Sequence, residues 1–170
     1  MALSSAASVS LAGTLSAALD LGRASFPFGL AKSVSLADGT GAGKADRVFT
    51  DTRTLAASAS EDLDLAGVLT DAFGASITFA KVKALMVVAA AANSNNVIVG
   101  GASSNGFISW VGGATHTVTV RPGGALALLA GETDATGYAV TAGTADLLKI
   151  ANSGAGSSVT YSVAILGTSA

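Results

Sequence analysis

Apolar and small polar residues alternate at period two along most of the chain. Val9-Ser10-Leu11 and Thr14-Leu15-Ser16 begin the pattern, and Leu19 and Leu21 continue it around Asp20. Ser33-Val34-Ser35-Leu36, Val48-Phe49-Thr50 and Thr117-Val118-Thr119-Val120 repeat it. Successive strand side chains point to opposite faces, so this alternation predicts half-buried strands. In Asp62-Leu63-Asp64-Leu65 it puts both leucines on one face and both aspartates on the wet one. Lys81–Gly101 departs from the pattern. Val82 and Ala84 to Ala92 form one apolar run, Asn93-Ser94-Asn95-Asn96 breaks it, and Val97-Ile98-Val99 resumes it. Asparagine bonds its own backbone and tolerates left-handed conformations, so the cluster predicts a turn and the whole stretch a hairpin. A hairpin buried on both faces needs other strands over it, with Lys81, Lys83 and the asparagines as its polar ends.

Turn signals divide the rest. Asp38 to Gly43 holds three glycines and predicts a second hairpin, between the strand at 33–36 and the one that follows. Arg121-Pro122-Gly123-Gly124 is a further reversal. Between such signals, strands are expected at 53–55, 77–79, 107–111, 115–120 (with His116 mid-strand), 125–130, 138–141, 146–151 and 159–166. Leu69 to Gly74 reads as a loop or short helical turn, with Thr70 or Asp71 as its cap. Pro27 belongs at a strand edge or a connection. Eight or more short strands at this spacing predict an all-β chain: an antiparallel, jelly-roll-like β-sandwich over residues 46–170. Residues 1–45 are expected to be N-terminal strands or an extended arm, ordered if exchanged between subunits.

Composition changes the picture at three points. Charged residues make up only 12% of the chain, against ~25% ordinarily. So bland a surface suits a protein covered in an assembly, the plainer alternative being an alanine-rich monomer. The nine Lys and Arg are scattered and net charge is −2, which leaves no electrostatic footprint for nucleic acid. The longest apolar run falls short of the ~20 residues of a spanning helix. The N-terminus lacks the basic region of a secretory leader, so no membrane partner is expected. Cysteine is absent, which excludes disulfides, a thiolate metal site and a cysteine nucleophile.

Candidate chemistry is sparse. His116 is the only histidine, too few for a triad or an ordinary zinc site. Asp46, Asp51, Glu61, Asp62, Asp64 and Asp71 cluster in sequence, but their spacing matches no calcium loop. They can instead pair with Arg47 and Arg53 or with a neighbour's basic patch, which makes those arginines candidate partner contacts. Gly39 to Lys44 lacks the spacing of a phosphate loop and precedes no helical pattern. Phe107 and Trp110, beside Gly112-Gly113, are candidates for a partner or sugar platform, weighed against plain core filling. No enzyme activity, cofactor or metal is expected.

Three runs carry a resemblance: DRVFTDTRTLAASASEDLDLAGVLTDAFGASITFAKVKAL (46–85), VGGASSNGFISWVGG (99–113), and VRPGGALALLAGETDATGYAVTAGTADLLKIANSGAGSSVTYSVAILGTS (120–169). Together they resemble a family of small virion structural proteins of tailed bacteriophages, over most of the chain after Asp46. The resemblance implies a β-sandwich on the capsid surface, acting as a decoration (cement) protein. Its partners would be the major capsid protein or other virion proteins and further copies of itself, a trimer being expected. A tail, neck or fibre component and a carbohydrate- or receptor-binding module are the alternatives. No motif within it assigns individual binding residues.

Overall fold

The computed structural model describes residues 2–67 and 69–170, and these are all-β. β1 (Ser5–Leu19) and β2 (Gly22–Asp38) form one long antiparallel hairpin, and β3 (Lys44–Ala45) pairs parallel with the end of β2. The remaining strands build two sheets. One contains β4 (Arg47–Leu55), β12 (Val159–Thr168) and β6 (Lys81–Ala89), with β9 (Ala125–Leu129) and β10 (Tyr138–Ala139) both on the far side of β6. The other runs β5 (Ser60–Asp64), β11 (Leu147–Asn152), β7 (Val97–Gly100), β8 (Thr117–Val120). Every pairing within these two sheets is antiparallel.

One core lies between the sheets. Leu85, Val87 and Ala89 of β6 and Val163 and Ile165 of β12 are buried with Leu63, Leu148, Ile150, Val97 and Val99 of the opposite sheet. The arrangement is a β-sandwich with alternate residues turned inward. Each large side chain so buried contributes about 1.5–3 kcal/mol. The clean alternation expected at 62–65 is present: Leu63 and Leu65 are buried, Asp62 is exposed and Asp64 half-buried.

Both predicted hairpins are corrected. β6 and β7 do not pair; they belong to opposite sheets, and residues 90–96 carry the chain across the sandwich edge. The asparagines there keep negative φ. Their amides instead tie the crossing to its neighbours. Asn93 donates to the Thr160 carbonyl and accepts from the Thr160 N–H, each at 2.8 Å. Asn95 donates to the Asn152 side chain and to the Gly154 and Ser157 carbonyls. β6 is buried on both faces only from Val82 to Leu85; beyond them Met86 points out at 47% exposure. The glycine turn at 38–43 does not close a hairpin either. It brings β3 parallel to β2, while β4 pairs with β12, 104 residues further on at Leu55↔Val159; the long-range partner wins because β12 offers β4 nine paired positions.

Other expectations are corrected locally. Residues 107–111 form a turn, and 77–79 are extended without ladder pairing. His116 is exposed and precedes β8. Asp71 caps a tight turn and no helix, its Oδ1 accepting from the Phe73 and Ala75 N–H groups. Lys83 is no polar end: it is 2% exposed, and its Nζ donates to the Asp134 carbonyl. Burial pushes its pKa down, with Asp134 opposing and Lys81 adding to the shift. The Pro122-Gly123 reversal is as predicted, with Gly123 at φ 73° and the Gly124 N–H donating to the Arg121 carbonyl. Ile150→Ala should cost about 2–5 kcal/mol through the cavity it leaves. Met86→Ala, on the outer face of β6, should cost under about 1 kcal/mol. Denaturant unfolding of both variants checks the assignment of faces.

Candidate functional site

The most distinctive surface is the β1–β2 hairpin. Its register runs unbroken from Ser5↔Leu36 to Leu19↔Gly22. Residues 8–12 and 14–33 are all exposed, so from Ser8 outward the ribbon projects roughly 40 Å at ~3.4 Å per residue. Opposed residues in an antiparallel pair share a face. One face is therefore small and polar: Ser8 with Ser33, Ser10 with Ala31, Thr14 with Pro27, Ser16 with Ser25. The other carries Leu11 with Leu30, Gly13 with Phe28, Leu15 with Phe26, and Ala17 with Ala24. Leu11, Leu15, Phe26 and Leu30 are 65–77% exposed.

Local chemistry explains the ribbon's form. The Phe28 ring lies across the backbone at Gly13, where an added Cβ would come within 2.6 Å of it. An aromatic side chain covering a cross-strand glycine restores contact that glycine cannot make. Pro27 stands mid-strand in β2. Having no N–H, it can enter the ladder only where that group would point away from β1, so it removes a donor from the ribbon's free edge.

The base of the ribbon is anchored. On the apolar face, Val34 and Leu36 are buried with Ala45, and Leu3 and Leu166 pack against them. The Leu3 N–H donates to Asp38 Oδ1, and the Ser35 N–H to Glu132 Oε1. The same face is thus covered by the sandwich at its first rungs and bare beyond them.

The four residues singled out from sequence do not converge. Phe107 is a core side chain at 2% exposure. Trp110 packs against the same core, and its indole N–H donates to the Phe107 carbonyl. That arrangement is core filling with the polar atom satisfied internally. Arg47 pairs with Asp46, whose carboxylate also accepts from the Ser169 N–H and hydroxyl. Together with Leu3, Val48, Phe73 and Ile77, Arg47 lines a cleft of about 340 Å³.

Arg53 pairs with two of the acids expected for it, in a network whose Tyr161 member the sequence did not reveal. Its Nε donates to Asp51 at 2.9 Å and its Nη1 to Glu61 at 2.6 Å, while the Tyr161 hydroxyl donates to the other Glu61 oxygen at 2.8 Å. Partial burial works against the guanidinium charge, but Glu61 and Asp51 outweigh it and hold the pKa up. Burial and the Glu61 carboxylate push the Tyr161 hydroxyl well above its ordinary range. Asp51, Asp62, Asp64 and Asp71 line a neighbouring cleft of about 290 Å³. Among the described residues no three acidic or histidine groups are placed to hold a metal ion.

No family model, curated protein or solved structure matches this chain.

Tyr161→Phe should cost about 1–2 kcal/mol near neutral pH, because it leaves a half-buried Glu61 oxygen without its donor. The raised Tyr161 pKa also fixes a sign. The unfolded tyrosine loses its proton near pH ~10 while the folded one keeps it, so stability falls as pH rises beyond that value. Urea denaturation between pH 8 and 11 should show a steeper alkaline loss in the wild type than in Tyr161→Phe.

Proposed function

We propose that this chain is a non-enzymatic structural protein of a tailed-bacteriophage virion, a capsid decoration protein that bridges and stabilises neighbouring capsid subunits. The observation that carries the reading is the arm: a long ribbon with one bare apolar face, extending from an otherwise self-contained sandwich. Such a face gains free energy only when another surface covers it. The low charge of the chain fits a protein whose surface is largely covered in an assembly. The resemblance of residues 46–85, 99–113 and 120–169 to virion structural proteins points to the same role.

In this reading the sandwich sits on the capsid surface as a homo-oligomer. Binding only to assembled capsid stabilises the assembled state by mass action. No cofactor takes part, and the partners are the major capsid protein or its virion neighbours. A tail, neck or fibre component is the second reading, favoured by the same projecting arm.

Quantitative mass spectrometry of purified virions separates them. A decoration protein should be present in a copy number comparable with that of the major capsid protein. A handful of copies per particle would transfer the chain to the tail, neck or fibre, and none at all would remove it from the virion.

A further inference from the structure

A two-stranded ribbon has no interior and is marginal in water by itself. Seven large apolar side chains stand on one face of this one: Val9, Leu11, Leu15, Leu19, Phe26, Phe28 and Leu30, each 45–77% exposed. They put roughly 800 Å² of accessible surface in one strip, beyond the largest apolar patch of an ordinary monomer and equal to one partner's share of a standard interface. The sandwich itself covers this face at Val34 and Leu36 and then stops. Whatever covers the rest continues an existing packing surface.

We infer that the occupant is a second copy of this chain, its arm laid antiparallel and face to face on the first about a twofold axis. Two observations select that arrangement. The first is charge. Lys32 lies on the apolar face, on the rung with Val9 near the base, and Asp20 lies in the turn at the tip. Antiparallel arms centred between Gly13 and Leu15 bring Lys32 of each copy to the partner's Asp20 at both ends. Parallel arms around a threefold axis would gather three Lys32 side chains at one apolar seam, where like charges are costly. The expected trimer is therefore not the form this surface favours.

The second observation is shape. In that antiparallel register the large Leu11–Leu30 rung meets the partner's small Ala17–Ala24 rung. The Leu15–Phe26 rung meets the partner's Gly13–Phe28 rung on either side of the axis. Face-to-face ribbons pack about 10 Å apart with side chains filling the space between. The two faces together would bury about 1,600 Å², the size of a stable, specific interface. Bulky rungs over small ones let the faces close without voids. The inference stands on the arm alone and does not need the virion reading: a cellular protein with this arm would dimerise in the same way.

The test uses the full chain. Light scattering after size exclusion should give twice the 16.3 kDa chain mass. Leu15→Ser/Phe26→Ser should weaken the dimer at least about tenfold, since both lie at the centre of the interface. Both side chains lie outside the buried core, so the denaturant midpoint of the resulting monomer should still report a folded sandwich. Ser10→Asp, on the opposite face, should leave the dimer intact. Orientation is read by cross-linking, because the chain has no cysteine of its own. Asp20→Cys chains mixed with Lys32→Cys chains should form disulfide-linked pairs under mild oxidation, and neither variant should do so alone. A monomeric or trimeric wild type, an intact dimer in the double serine variant, or self-cross-linking of Asp20→Cys would each overturn the inference. Those results leave the virion copy number untouched, so the two readings fail separately.

Discussion

Packing of the inward face of β6 and β12 against that of β11 and β7 is the interaction on which the rest of the sandwich depends. Leu85, Val87 and Ile165 on one side and Leu148, Ile150, Val97 and Val99 on the other are almost completely excluded from water. The chain crosses between the sheets at six of its connections, from β4 to β5 through to β11 to β12. The core is therefore built from residues far apart in sequence. Polar groups follow this geometry. Asn93 and Asn95 fasten one crossing, and Glu61 joins Arg53 on β4 to Tyr161 on β12.

The arm obeys the same rule with half of the structure missing. Its strands alternate as the sandwich strands do, but no second layer of the same chain lies over them beyond Val34. The apolar side chains that would be core in a sandwich are surface in a ribbon. This is the physical content of the proposed role. A sandwich complete in itself carries a half-built second sandwich, and a partner's surface supplies the other half. The β2 edge is managed at two points, since Pro27 removes one donor and β3 pairs with its base.

Much of the strand content was legible because period-two alternation is local. The pattern at 62–65 and 117–120 placed strands and their faces correctly, the strand expected at 159–166 is present, and Pro122-Gly123 placed its reversal. The candidate contacts fared differently. Phe107 and Trp110 are aromatic residues in the core, and aromatic type alone does not separate a platform from a filler. Arg47 and Arg53 were noticed as charges near acids, but the partner that organises Arg53, Tyr161 through Glu61, lies more than a hundred residues away. The arm's apolar face was visible as alternation at 9–19 and 26–36, without any sign that nothing would cover it.

The alternation of apolar and polar positions by itself determined that the chain is all-β, where most strands run and which side chains in them are apolar-faced, because the strand period is a property of each backbone segment. Which strands pair, that β6 and β7 lie in opposite sheets, and that the first two strands stand out as a bare ribbon were decided only by tertiary structure. Those choices depend on which distant inward faces close a common core, and a local pattern reads the same whether its apolar face meets the chain's own second layer or is left for another molecule.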